Sequence, residues 1–164
     1  MDLSHLTKPA APWFHLLTAT SDEARDQLRS LERYGGRVAV RFVRGRKAGT
    51  TAAFYDELAA ALQFPDYFGE NWDAANDCLG DLEWLHADAI VLGLLDGDKL
   101  LAAGGDEAGR KLVAVLKAAG QHWNHLPDKK KSQTFHIVMQ AGPADADAVQ
   151  LRWAGLGLDL TRAK

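Results

Sequence analysis

Residues 51–84 read TAAFYDELAAALQFPDYFGENWDAANDCLGDLEW, two helical patterns parted by a proline-to-glycine turn, and the apolar run AIVLGLL follows at 89–95. In the first pattern Phe54, Leu58, Ala61 and Leu62 share one face, and Pro65 forbids continuation of the helix. In the second, Gly69 and Asn71 mark a turn and a helix cap, and the helix is expected to run to about Leu85. Trp72, Ala75, Leu79 and Leu82 form its apolar side. AIVLGLL is far short of the roughly 20 residues a membrane span needs and reads as a buried strand.

The same punctuation extends outward. WFHLLTA (13–19) and RVAVRFV (37–43) have the content and length of strands. Between them SDEARDQLRSLERY reads as a helix capped by Ser21 and ended by Gly35 and Gly36. RGRKAGT is a basic loop. DEAGRKLVAVLKAAGQHW (106–123) is a helix that buries Leu112, Val115, Leu116 and Ala119, and TFHIVMQA (134–141) is a last clear strand. Helices alternating with strands imply an α/β fold with a small, mainly parallel sheet packed against helices. The tail 143–164 has two readings, a short helix followed by a strand or a loosely docked extension.

The 164 residues, 47% hydrophobic and 25% charged, suit one globular domain that folds without metal or disulfide. A single cysteine, Cys78, and an N-terminus without a basic leader point to a reducing, cytoplasmic setting. The net charge of −3 conceals a segregation: Ala48 to Asp98 holds no Lys or Arg, and half of the chain's 22 acids fall there. The remaining residues are strongly basic. A basic partner suits the central segment and nucleic acid does not.

Within that segment Glu70, Asp73, Asp77 and Asp81 project within about 60° of one direction on an α-helix, opposite Trp72 and Leu79. Asp73 favours the positive end of the helix dipole, but Asp77 and Asp81 lie beyond its reach. The pairs Asp73/Asp77 and Asp77/Asp81 each cost about 0.2–0.5 kcal/mol, with no base between to relieve them. A solvated face is the ordinary reading of a charge run; stability alone does not select this one. Tyr67 and Phe68 stand side by side in the preceding turn, where one can join the core and the other suits a protein interface.

Residues 54–84 resemble the central segment of the barstar family, intracellular inhibitors of secreted microbial ribonucleases. The features that carry the resemblance are the aromatic-acid helix, the Pro-acid-Tyr-aromatic-Gly-x-Asn turn and Asp-Ala-x-x-Asp-Cys-Leu. The resemblance implies a compact α/β domain over 37–141; 1–36, an N-terminal strand-helix extension, and 142–164, a C-terminal tail, lie outside it and are expected to pack with it as one unit. It also implies a protein without catalysis or cofactor, a monomer that plugs the active site of a basic ribonuclease in a 1:1 complex. Carried across, Asp77 matches the acid that takes the place of the substrate phosphate. Asp73 matches a neighbouring acid that pairs with an enzyme arginine, and Tyr67 an aromatic at the rim. Asn71 also matches the motif, and Gly69, Asn76 and Asp81 complete the expected contact set. Two departures stand out: Asn76 replaces a Trp, and the following helix offers only Lys117 or Ala118 where a Glu is expected.

Other chemistry is weaker. Asp96 and Asp98 in LLDGD could join Asp73 and Asp77 in a magnesium-dependent phosphate hydrolase, although no phosphate-cradling Lys, Ser or Thr follows and Gly97 suggests a plain turn. A barstar-like fold with a regulatory role toward another basic protein is a further alternative. His122 and His125 share a helix face without a third metal ligand. The other histidines show no ligand spacing. RGRKAGTT lacks the Gly-Lys-Ser/Thr ending of a phosphate loop. DKKKS (128–132) reads as a turn, and Cys78 as a buried small hydrophobe.

Overall fold

A computed structural model describes residues 1–124 and 133–163; the readings of His125 and DKKKS lie outside them. Five strands, β1 (Phe14–Thr18), β2 (Val38–Arg44), β3 (Ala89–Leu95), β4 (Thr134–Ala141) and β5 (Thr161–Arg162), form one sheet in the order β2-β3-β4-β1-β5. The pairings between these strands are all parallel. The helices are α1 (Ser21–Arg29), α2 (Thr51–Leu62), α3 (Trp72–Asp81), α4 (Gly105–Asn124) and α5 (Ala146–Gly155).

Strand alternation divides the core in two. Ala39, Val43, Ile90, Leu92, Leu94, Phe135, Ile137 and Met139 meet the apolar faces of α2, α3, α4 and α5. Val40, Val91, Leu95 and Val138 belong to the other side of the sheet, where they pack with Ala24 and Leu28 of α1, Leu31 just beyond it, and Leu3 and Leu6 of the N-terminal segment. The small side chain of Ala24 is fully buried there, which lets α1 approach the sheet closely. Strand β1 lies inside the sheet, between β4 and β5, with Phe14 opposite Ile137 and Thr18 opposite Ala141.

Several boundaries differ from expectation for local reasons. The cap of α1 is Thr20, not Ser21: Thr20 Oγ1 accepts from the Glu23 backbone N–H, and the Glu23 carboxylate accepts from Thr20 N–H, a reciprocal capping box. This helix gives way to a 3-10 turn at Ser30–Arg33 before the glycines are reached. Helix α3 stops at Asp81 rather than near Leu85, because Leu82 turns left-handed at φ 50° and a 3-10 turn, Glu83–Leu85, follows. The tail is a helix followed by a strand. It is docked through Trp153 and Arg152, which donate to carbonyl oxygens of the 97–100 turn, Nε1–H of Trp153 to Gly97 O at 3.1 Å and Nη2 of Arg152 to Leu100 O at 2.8 Å.

Beneath the N-terminal segment two histidines with no shared sequence motif form a buried pair. The rings of His15 on β1 and His136 on β4 approach at 3.0 Å between Nε2 and Nδ1, and His136 Nε2 lies 2.9 Å from the carbonyl oxygen of Lys8. A carbonyl only accepts, so His136 donates to it through Nε2–H and receives the His15 Nε2–H at Nδ1. Both rings are neutral in this arrangement. Burial, followed by the neighbouring His136 and His5, pushes His15 down to about 3, and burial is also the main cause that lowers His136.

Strand β2 is a sheet edge, and side chains cover three of its backbone groups. Glu32 accepts from Val40 N–H at 3.1 Å, Glu57 from Arg44 N–H at 3.1 Å, and the Arg41 guanidinium donates to Val40 O. Glu57 also holds the Arg44 guanidinium at 2.5 Å, which lowers the Glu57 carboxyl. Edge strands blunted in this way resist pairing with other chains.

Candidate functional site

The acidic helix is held rigidly from below. Asn71 Oδ1 accepts from Ala74 N–H at 2.8 Å while its Nδ2 donates to Gly69 O at 3.1 Å, so this side chain caps α3 and ties it to the turn. Trp72 stacks on Phe54 at 5.7 Å and meets Tyr55 edge-on at 5.3 Å. Ala75, Cys78 and Leu79 are buried; a fully buried leucine contributes about 1.5–3 kcal/mol. At the far end Trp123 of α4 donates its Nε1–H to Leu79 O at 2.8 Å, fixing α3 against α4. Nothing in the spacing of the tryptophans foretells this bond.

Three carboxylates face outward from this frame. Asp73, Asp77 and Asp81 are exposed, and among the described residues none of them forms an ion pair. Glu70 is not part of the stripe: it precedes the cap, with φ 48°, outside the helix. Phe68 turns inward against Tyr55 and Phe64, with ring centroids 6.0 and 5.0 Å away. Tyr67 turns outward and is 70% exposed. Its hydroxyl pKa is raised by partial desolvation and then by Asp81, Cys78 and Glu83, so the turn runs back alongside the C-terminal half of α3.

Between α3 and α4 lies an open groove. One part, about 560 Å³, is bordered by Asn76, Asp77, Gly80 and Asp81 on one side and by Ala118, Ala119 and His122 on the other. A second part of about 310 Å³ lies along Trp72, Asp73 and Asn76, opposite Lys111, Ala114 and Val115. Tyr67, Asp73, Asn76, Asp77 and Asp81 of the expected contact set thus present exposed side chains on or beside α3. Asn71 is also exposed, but its polar atoms serve the cap. A Cβ at Gly69 would press within 3.2 Å of Asn71 Nδ2, so glycine permits the close turn. Ala118 lines the groove across from Asp77; Lys117 instead reaches Gly157 O at 2.9 Å.

The groups considered for other chemistry do not converge. Asp96 and Asp98 belong to the turn after β3, where Asp96 N–H donates to Gln140 Oε1 at 2.8 Å. Among the described residues no three His, Cys, Asp or Glu side chains come together as a metal site would require, and the four-carboxylate magnesium arrangement is not formed. Burial is the main cause that raises the Cys78 thiol, with Asp77 and Asp81 adding to it, so it is a poor nucleophile. Among the described residues no helix is long and apolar enough to cross a membrane.

No curated protein matches the chain. The family model described as Barstar (barnase inhibitor) matches residues 38–140, from the start of β2 almost to the end of β4 and through the whole of the acidic helix. That span exceeds half of the sequence and, with the five-stranded parallel α/β sheet, establishes that the chain belongs to the barstar family.

Proposed function

We propose that this protein is a cytoplasmic inhibitor of a basic ribonuclease or related nuclease toxin, a monomer that blocks the enzyme's active site in a 1:1 complex without catalysis, metal or cofactor of its own. The observation that carries the reading is the row Asp73, Asp77 and Asp81, exposed and, among the described residues, outside any ion pair, on a helix whose other face is locked into the core. A ribonuclease cleft is positive because it holds phosphates, and a preorganised row of carboxylates both steers encounter and occupies it. Asp77 takes the central position, Asp73 pairs with an enzyme arginine, and Tyr67 packs at the rim. Gly69 and Asn71 shape the turn that carries Tyr67, while Asn76 and Asp81 extend the contact. Where the family pattern leads one to expect an acid on the next helix, Ala118 leaves a space. A long basic side chain of the enzyme can enter there and reach Asp77 and Asp81.

The test is capture from the source cell's lysate and secreted proteins at low and high salt, with ribonuclease activity measured in the presence and absence of the retained inhibitor. Wild type should retain a basic nuclease and silence it, while Asp77→Ala should bind about 2–5 kcal/mol more weakly. Retention of no basic protein, or equal retention by Asp77→Ala, would sink the reading.

A further inference from the structure

A second charged surface lies on the opposite face of the sheet. Arginine recurs at every fourth position from Arg25 to Arg41, but the structure singles out two of these residues. Arg25 and Arg29, one turn apart on α1, place their guanidinium carbons 5.3 and 5.1 Å from the centroid of the Phe42 ring. Phe42 lies across Gly93 of the neighbouring strand, where a Cβ would stand only 2.7 Å from its Cδ1. The ring is therefore seated on the sheet and serves as a platform for both cations. Among the described residues neither arginine is in an ion pair. Their neighbours differ: Arg44 is held by Glu57, and Arg41 lies 3.8 Å from Glu32.

These residues border an open groove of about 540 Å³ that runs round the β2 edge, past Arg41 and Arg44, to Ala60, Ala61 and Gln63 at the end of α2. Two like charges one helical turn apart repel, and an anion carrying two charges between them satisfies both guanidinium forks at once. A single carboxylate supplies one charge. A long nucleic-acid strand would meet Asp26 and Glu32 along the same run and would find the outer face of Phe42 taken by the two guanidinium groups. We propose that Arg25, Arg29 and Phe42 form a binding site for a phosphate monoester or diphosphate, carried by a free nucleotide or by the 5′ end of an RNA. Arg25, Arg29 and Phe42 belong to the side of the sheet away from α3, and no residue of the acidic helix lines the groove, so its occupancy leaves that helix free and the site stands independently of the inhibitor reading.

Isothermal titration of the full chain with pyrophosphate in low-salt buffer tests the proposal. Arg25→Gln and Arg29→Gln should each weaken binding about tenfold, and the double variant should abolish it. Arg46→Gln, which removes the same charge from an exposed position outside the groove, should leave binding unchanged. Arg25→Lys with Arg29→Lys keeps the charge but loses the forks, and should also bind more weakly. Uridine 5′-diphosphate and an RNA oligonucleotide with or without a 5′-phosphate then separate the two sources. Binding of the diphosphate, or a preference for the 5′-phosphorylated oligonucleotide, supports the site when it depends on Arg25 and Arg29. No saturable heat at millimolar pyrophosphate overturns it, as do an equal loss in Arg46→Gln or tighter binding of a polyglutamate peptide; indifference of the RNA to its 5′-phosphate, with the diphosphate bound, assigns the site to free nucleotides.

Discussion

Acidification should destabilise this protein through the buried pair His15 and His136. In the unfolded chain a histidine takes up a proton near its ordinary value of 6.5, whereas folded His15 does so only at about 3. The unfolded state therefore binds more protons throughout that window. Stability is fully present above about pH 6.5 and falls progressively as the pH drops toward 3. At about pH 5, some 1.5 units into the window, His15 alone removes about 2 kcal/mol at roughly 1.4 kcal/mol per unit, and His136 acts in the same direction. With a urea m-value of about 2 kcal/mol/M, that loss lowers the unfolding midpoint by about 1 M. The assay is urea unfolding at several pH values for wild type and His15→Gln. An amide N–H can still donate to His136 Nδ1, but it does not titrate. The variant should be less stable at neutral pH yet lose about 2 kcal/mol less on acidification to about pH 5. Parallel curves, or a His15 ring that titrates near its free value in the folded protein by NMR, would overturn this account.

Other substitutions separate positioning from contact. Asn71→Ala should cost about 1 kcal/mol of stability by leaving the first turn of α3 uncapped, whereas Asn71→Asp should retain most of it; chemical unfolding measures both. Glu57→Ala releases the Arg44 guanidinium and uncovers Arg44 N–H, and should cost about 1–3 kcal/mol in thermal or urea unfolding. Combined with Glu32→Ala it opens the β2 edge and should produce concentration-dependent association in sedimentation velocity, which Glu57→Ala alone should show more weakly.

Much of this fold is visible in short-range pattern. The runs 89–95 and 134–141 coincide with β3 and β4 because each is a short, largely apolar run with β-branched pairs at its centre, Ile90 with Val91 and Ile137 with Val138, and is too brief for a core helix. The apolar faces of α2 and α4 follow from spacing, since Phe54, Leu58, Leu62, Leu112, Leu116 and Ala119 are buried as that spacing requires. The acidic face of α3 is equally legible, but its end is not. Leu82 continues the apolar period and takes a left-handed backbone, a conformation that costs a non-glycine residue and that only its burial against the core explains. The histidine pair is hidden for a different reason. Its members are 121 residues apart and meet only because β1 enters the sheet beside β4, a choice of partner that local periodicity does not encode.

That long-range pairing also bears on how the chain is made. Strand β1 is synthesised first among the strands and β4 fourth, yet they are neighbours in the finished sheet. An emerging chain can assemble β2, α2, α3 and β3 and lay α1 against Val40, Val91 and Leu95, but Val138 and the pairing edge for β1 are missing until β4 leaves the ribosome. We propose on this basis that residues 1–36 belong to the same folding unit as the family domain. A chain that begins at residue 37 should expose those valines and leucines, bind a hydrophobic dye and fail to unfold cooperatively; a soluble, cooperative product would show instead that the first strand is dispensable. On this reading the earliest strand made is the one that waits longest for its neighbour, and the sheet is complete only after the acidic helix has been synthesised.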